Sequence, residues 1–332
     1  MPPLTFLEPL AAVLRHEAHK AMDIILHLGA HRTATTSFQH LIRENQARFE
    51  AEGLGFWGPR RTRNGLLTGV IPVPGPQSRD AQLQRAAGRI SLAVEQAARL
   101  GLRQILVSDE NMIGTPRRTL RDGSLYPDIG ERMARFAKAF GGRIARVSLS
   151  IRGQDSLWPS LMALSVARGA RIPDERRLRR IAASRRGWRD VITDLACAIP
   201  DTPIQIFPHE IHAGTPERRL ALMTGRERLP ACHPPGWLNR TPDLWELRRR
   251  VAERGGDPEA LPPGPGRWQP FGQEQCAALG EMYGDDLFWL RSGADGLAEL
   301  TEETDRKSAL GKAPAGQMRR GRPNGFEERR LA

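Results

Sequence analysis

Lysine and cysteine are scarce in this 332-residue chain. Its lysines are Lys20, Lys138, Lys307 and Lys312, so the 50 basic residues are almost all arginine, and against 38 acids they leave a formal net charge of +12 at pH 7. The three cysteines, Cys197, Cys232 and Cys276, are odd in number and far apart. That rules against a disulfide framework and fits a reducing, cytoplasmic setting. No run approaches the ~18–20 apolar residues of a membrane span. The first 20 residues hold an apolar patch, Leu4 to Leu14, interrupted by Glu8. Lacking a basic n-region and an A-x-A site, this stretch reads as a helical extension and not as a signal peptide.

Metal-ligand spacing is also missing. His209-Glu210-Ile211-His212 has one residue too few for H-E-x-x-H, so its two histidines would not share a helix face. The segment reads as a loop, as does Cys232-His233 before Pro234-Pro235, and no metal is expected. The basic charge invites a nucleic-acid partner, but no zinc-finger spacing or aromatic RNA-binding signature accompanies the scattered arginines. A positive surface would instead steer a multiply anionic small molecule, or an acidic glycan, towards a site.

What is present is α/β alternation. Apolar β-type runs occur at 24–28, 104–108, 144–151 and 204–207, and helical periodicity over Asp80 to Leu100, Ile129 to Phe140, Leu157 to Val166 and Arg186 to Ala198. Loops are expected at Gly58 to Pro76 and Arg117 to Tyr126. With 39% hydrophobic residues and a mean hydropathy of −0.47, the chain can build a core. The pattern predicts an α/β, three-layer fold: a central parallel sheet flanked by helices, with ligand at the strands' carboxyl ends. One domain is expected over 21–300, preceded by the extension at 1–20. A Gly-, Arg- and Glu-rich tail at 301–332 is expected to be mobile.

The segment Leu26-His27-Leu28-Gly29-Ala30-His31-Arg32-Thr33-Ala34-Thr35-Thr36-Ser37 joins the first strand to an amphipathic helix. A strand, a small-residue turn and a helix N-terminus make an anion site, because N–H groups converge and the helix dipole favours negative charge. Counted from Gly29, a Walker A loop would need Gly at Ala34 and Lys at Thr35. The cation lies earlier, at Arg32, followed by the hydroxyls of Thr33, Thr35, Thr36 and Ser37. A Thr-rich N-cap on an ordinary helix is the plainer account. Further on, the strand ending at Ile151 is followed by Arg152, and Ser160 comes eight residues later on a helix.

These two motifs resemble those of sulfotransferases that use 3′-phosphoadenosine 5′-phosphosulfate (PAPS), the bacterial and carbohydrate-type members in particular, whose loop reads H-[KR]-T-G-T-T-[ST]. Arg32 stands where Lys is usual and Ala34 where Gly is usual. Softer likenesses are the Asn239-Arg240-Thr241 turn and the Tyr283 to Leu287 helix. The resemblance, over roughly residues 22–292, implies a P-loop-like fold and sulfuryl transfer from PAPS, without a metal, to a hydroxyl or amine, for example of a glycan or lipid. It implies that Arg32 neutralises the bridging oxygen, that Thr33, Ala34, Thr35, Thr36 and Ser37 hold the 5′ end, and that Arg152 and Ser160 hold the 3′-phosphate. Ser108-Asp109-Glu110 at the end of the second run offers Glu110 as a base; alternatively Glu110 caps the next turn or pairs with an arginine. His31, in the loop, is a competing base, whereas His27 is expected to be packed. Trp158 is left between adenine and the core. The acceptor pocket is expected from Gly58 to Pro76, Arg117 to Tyr126 and Arg168 to Arg180. Two rivals stand beside this reading. One is a P-loop small-molecule kinase using Asp109 for Mg²⁺, and the other a non-catalytic protein of the same fold.

Overall fold

The computed structural model describes residues 22–227, 229 and 236–302. The expected N-terminal helix, Cys232-His233 and nearly all of the expected tail lie outside these residues. Five strands follow one another as β1 (Asp23–His27), β2 (Leu54–Trp57), β3 (Gln104–Ser108), β4 (Ile144–Ile151) and β5 (Ile204–Pro208), and β6 (Glu299–Leu300) closes the far edge. All pairings are parallel, in the order β2-β3-β1-β4-β5-β6. All six strands lie in the unit that ends at Thr301. The fold is therefore α/β with one parallel sheet, as the alternation predicts.

The sheet is buried on both faces because its strands are apolar at consecutive positions, as parallel strands under helices must be. Ile25 and Leu106 face one way, onto Phe38, Ile42, Phe49, Leu220 and Met223. These come from helices Thr35–Glu44, Gln46–Ala51 and Pro216–Thr224. Ile24, Leu26, Ile105 and Val107 face the other way, into a larger cluster. Helices Arg79–Arg99, Ile129–Phe140, Gln154–Ala167, Trp188–Ala198 and Gln273–Arg291 build that side. Each such side chain contributes roughly 1.5–3 kcal/mol on burial, so three layers rest on two cores, one against each face of the sheet.

Several loops expected from the sequence carry structure. Gly58 to Pro76 contains a helical turn, Pro59–Arg61, running into a wide turn at Thr62–Leu66. Arg117 to Tyr126 is largely the helix Pro116–Asp122, started by the Thr115 side chain accepting from the Arg118 N–H and stopped by Gly123 in the left-handed region. Residues 175 onward of Arg168 to Arg180 belong to helix Glu175–Ala182. His209–His212 is one helical turn, not a loop. No helix among the described residues is long and apolar enough to cross a membrane.

Candidate functional site

Beyond β1 the backbone keeps its pairing with β4 for three more residues. Leu28 N–H donates to the Ser148 carbonyl at 2.9 Å and Ala30 N–H to the Ser150 carbonyl at 2.8 Å. Gly29 sits at φ +86, and a Cβ there would come 2.7 Å from Cβ of Glu110. Glycine is thus required twice over, by backbone conformation and by the close approach of β3's end. Arg32 and Ala34 also adopt left-handed conformations, at φ 64 and φ 61. Ala34 is the residue before helix Thr35–Glu44, a place where glycine would be unstrained.

The loop uses part of its polar inventory on itself. Thr33 and Thr35 hydroxyls both donate to the Ala30 carbonyl, at 2.7 and 3.1 Å. Ser37 Oγ accepts from the Leu238 N–H at 2.9 Å. Of the four hydroxyls expected at the 5′ end, only the exposed Thr36 is left to solvent; the other three fix the loop's shape. Anion-holding capacity rests instead on the free N–H groups of the first helical turn.

Arg32 ties three parts of the chain together. Its Nε donates to Ser160 Oγ (2.9 Å), Nη1 to the Asn239 carbonyl (2.8 Å) and Nη2 to Thr241 Oγ1 (2.9 Å). Its own carbonyl accepts from Arg152 Nη1 at 2.8 Å. Arg152 and Ser160 are therefore brought to the loop, as is the Asn239 to Thr241 turn. Burial, helped by the Arg152, Arg168 and Arg267 charges, pushes the Arg32 guanidinium down to about 10. Burial and Arg267 likewise lower Arg152. Glu210 and Asp155 act on Arg152 in the opposite sense, but no described carboxylate forms an ion pair with Arg32 or Arg152, and cations so placed favour an anion.

The end of β4 is braced from behind. Glu210, in the one-turn helix, accepts from the Gly153 N–H at 2.9 Å and from the Tyr283 hydroxyl at 2.8 Å. Asp286 accepts from the N–H groups of Trp188 and Arg189, at 2.8 and 3.0 Å. The Trp188 indole donates to the Arg152 carbonyl at 2.8 Å. The C-terminal helix Gln273–Arg291 thus holds Arg152 in place through Tyr283 and Asp286. Trp158 is 1% exposed and belongs to the core.

At the end of β3, Asp109 and Glu110 part company. Asp109 is buried and takes the Asn111 N–H, the Thr62 hydroxyl (2.6 Å) and a two-nitrogen contact from Arg63. Glu110 faces the cleft, where Arg63 Nη2 reaches Oε1 at 3.0 Å and Gln39 Nε2 reaches Oε2 at 3.2 Å. Asp109, not Glu110, makes the cap. His31 is 7% exposed, and both of its ring nitrogens are engaged. Nδ1 meets the Tyr126 hydroxyl and Nε2 meets Asn111 Oδ1, each at 3.1 Å. Asn111 Oδ1 can only accept, so Nε2 carries the proton given to it, and in the neutral ring Nδ1 then accepts from the Tyr126 hydroxyl, whose oxygen also takes the His31 backbone N–H. That leaves His31 without a free lone pair and makes it a support for the loop. His27 is packed, with Nδ1 2.8 Å from Ser108 Oγ, and burial holds its pKa well below the usual value.

These groups open on a cleft of about 900 Å³, within the range of small-molecule sites. Among the described residues, nine arginines line it and Glu110 is its single carboxylate. Of the three segments expected to form an acceptor wall, Gly58 to Pro76 contributes residues from Gly58 to Arg63, Arg168 to Arg180 contributes Arg168 at the edge, and Arg117 to Tyr126 contributes none, only the neighbouring Pro116 reaching the cleft. Tyr126 lies beneath His31 instead. Trp237, Leu238 and Arg267 complete the lining. Their place was hidden because they come from segments without regular periodicity. Arg219 was missed for a different reason: it sits within an amphipathic helix, yet it is 1% exposed and supports the loop from inside. No protein-family model matches this chain, and no curated protein does either.

Proposed function

We propose that this chain is a PAPS-dependent sulfotransferase, moving a sulfuryl group from 3′-phosphoadenosine 5′-phosphosulfate to a hydroxyl or amine of an acceptor. The observation that carries this reading is the convergence on Arg32. Arg152 and Ser160, 120 and 128 residues away in sequence, hydrogen-bond to its carbonyl and its guanidinium respectively. The donor set suits an adenosine bisphosphate: free N–H groups at a helix start, a hydroxyl at Thr36, and the arginines Arg32 and Arg152, neither of them in an ion pair with a described carboxylate. When bound, the donor supplies a sulfuryl group activated by its anhydride link to phosphate.

The chain's part is to position and neutralise, as in phosphoryl transfer. N–H groups from Thr33 to Ser37 hold the 5′ end against the helix dipole. Arg152 and Ser160 take the 3′-phosphate. Arg32 neutralises charge developing on the bridging oxygen as the bond from that oxygen to sulfur breaks and the acceptor's bond to sulfur forms. Glu110 receives the acceptor's proton, its two oxygens oriented by Arg63 and Gln39. The kinase alternative fares less well on the donor set. Among the described residues the cleft has no lysine, and Asp109 already receives the Thr62, Arg63 and Asn111 donors. A cytoplasmic setting fits the described cysteines, Cys197 and Cys276, both free thiols.

Calorimetric titration with adenosine 3′,5′-bisphosphate against ATP–Mg²⁺ is the first test, and the bisphosphate is expected to bind much more tightly. Release of label from PAPS in the presence of acceptors is the second. Preference for ATP–Mg²⁺ would overturn the reading. Tight bisphosphate binding without turnover would leave a nucleotide-binding protein of this fold.

A further inference from the structure

Ser160 and Thr241 meet at one corner of the loop site. Their hydroxyl oxygens lie 2.7 Å apart, close enough for a single hydrogen bond. Arg32 donates to both, Nε to Ser160 Oγ and Nη2 to Thr241 Oγ1, each at 2.9 Å. The turn that carries Thr241 is fastened to the same place by its backbone. The Leu238 N–H donates to Ser37 Oγ, and the Asn239 carbonyl accepts from Arg32 Nη1. The two hydroxyls differ in what they face. Ser160, on helix Gln154–Ala167, is 3% exposed and does not line the cleft. Thr241 is half-buried and does line it, along with Arg32, Arg152 and Arg168.

Two hydroxyls bring two hydrogens, and only one of these can lie between their oxygens. Neither hydroxyl makes a further hydrogen bond to a described residue beyond those with Arg32 and with each other. If Thr241 were the donor of the shared bond, the Ser160 hydrogen would be shut inside the protein unsatisfied, a costly arrangement. If Ser160 is the donor, the spare hydrogen belongs to Thr241, which can turn it into the cleft. The second arrangement leaves nothing buried and unpaired. Thr241 Oγ1 then accepts twice, from Ser160 and from a guanidinium, and a hydroxyl polarised in this way is a stronger donor in turn. Its surroundings are cationic, since the Arg152, Arg168 and Arg267 charges all act on Arg32. A hydroxyl hydrogen directed among arginines suits an oxyanion.

We propose that Thr241 supplies the hydroxyl contact to the nucleotide's 3′-phosphate, and that Ser160 is the positioning residue behind it, turning the Thr241 hydrogen towards the cleft. The inference rests on the sulfotransferase reading for the identity of the nucleotide, whereas the contact itself needs only a phosphate in this corner. Thr241 is thereby a determinant of preference for a nucleotide that carries a 3′-phosphate over one that lacks it. The Arg152-to-Ser160 spacing marks the right corner, but its hydroxyl serves the ligand through a residue 81 positions further along the chain.

The test is calorimetric titration of the full chain and its variants with adenosine 3′,5′-bisphosphate, AMP and inorganic phosphate. Thr241→Val keeps the side chain's shape and removes the hydroxyl. Its bisphosphate affinity should fall by roughly 10- to 100-fold, the range for a hydrogen bond to a charged group, while AMP binds almost as before. Thr241→Ser should stay within about threefold of wild type for the bisphosphate. Ser160→Ala should weaken the bisphosphate several-fold by itself and add little in the Thr241→Val background, because both act on one contact. If Thr241→Val does not fold, the Thr241→Ser and Ser160→Ala results decide, the first retaining the bisphosphate and the second losing affinity for it but not for AMP. Equal losses for bisphosphate and AMP would mean that Thr241 only sets Arg32, and would overturn the proposal. So would an affinity untouched by Thr241→Val, additive effects of the two variants, or a wild type that binds none of the three ligands. If the wild type binds inorganic phosphate but not the bisphosphate, and Thr241→Val loses the phosphate, the contact stands and the sulfotransferase reading falls.

Discussion

The guanidinium of Arg219 donates through Nη1 to the carbonyl of Thr33 at 3.2 Å, from inside the protein and 4.3 Å from the Phe38 ring centre. No described carboxylate pairs with it, and its Nε has no hydrogen-bond partner. Burial pushes its pKa down to about 9. A base whose folded pKa lies below its unfolded one costs stability at neutral pH, a cost that fades only as pH rises past the folded value. Retaining such a charge under an anion-binding loop makes sense if the ligand is its counter-charge. Arg219→Met should therefore raise stability by an amount on the order of 1–3 kcal/mol, read by denaturant unfolding. The same variant should bind adenosine 3′,5′-bisphosphate more weakly. Lower stability with unchanged affinity would mean that the residue is structural only.

Arg152→Ala should weaken adenosine 3′,5′-bisphosphate binding by roughly 2–4 kcal/mol, the scale for truncating a desolvated charge partner. AMP, which lacks the 3′-phosphate, should bind almost as before. Arg152 also supports the Arg32 carbonyl, so equal losses for both nucleotides would assign it to loop geometry and not to the 3′-phosphate.

Arg32→Ala should lower kcat far more than donor affinity, because charge on the bridging oxygen develops only in the transition state. Arg32→Lys keeps the charge and should retain substantial activity. Lys cannot, however, reach Ser160, Asn239 and Thr241 together in a planar fork. Turnover at the wild-type rate in Arg32→Ala would remove the assigned role.

Glu110→Gln keeps the side chain's size, and its carbonyl oxygen can still accept from Arg63, while the base is lost. General-base catalysis is worth about 10²–10⁴-fold, so kcat should fall on that scale with the melting temperature nearly unchanged. A fall in melting temperature with activity recovered on cooling would mark Glu110 as a brace for Arg63.

His209, at the rim of the cleft, is pushed down to about 4 by burial and then by the Arg152 charge. Its unfolded value is near 6.5, so the unfolded chain takes up a proton first as pH falls. Stability attributable to neutral His209 is fully present above about 6.5 and declines between 6.5 and 4. Comparing His209→Gln with wild type by urea unfolding across that window should show a shallower decline in the variant. Parallel curves would place the acid sensitivity elsewhere, with the buried His27 and His31 as the next groups to test.

The sheet's inner strands were readable because burial on both faces demands continuous apolar runs, which β1, β3, β4 and β5 display. β2 was not, since Leu-Gly-Phe-Trp is short and holds a glycine, and only pairing with β3 makes it a strand. The loop and the Arg152 to Ser160 spacing were local patterns and so were visible. The partners that give them meaning were not, because Arg63 finds Asp109 across 46 residues, and Glu210 finds Tyr283 across 73. The hydroxyls of the loop misled for a related reason. A threonine-rich turn invites the idea of ligand contacts, and only the path of the backbone reveals that Thr33 and Thr35 are turned to the Ala30 carbonyl.

The order β2-β3-β1-β4 has a consequence for how such a chain can diversify. In the proposed reading, what holds the nucleotide hangs from β1 and β4, while residues 58–66 hang from an edge strand joined to the rest of the sheet through β3 alone. A new sequence grafted between Gly58 and Leu66 could retarget the molecule to a different acceptor without disturbing the grip on its donor, provided Thr62 and Arg63 still reach Asp109. On that reading, specificity would be interchangeable at one edge of the sheet while chemistry stays anchored at its centre.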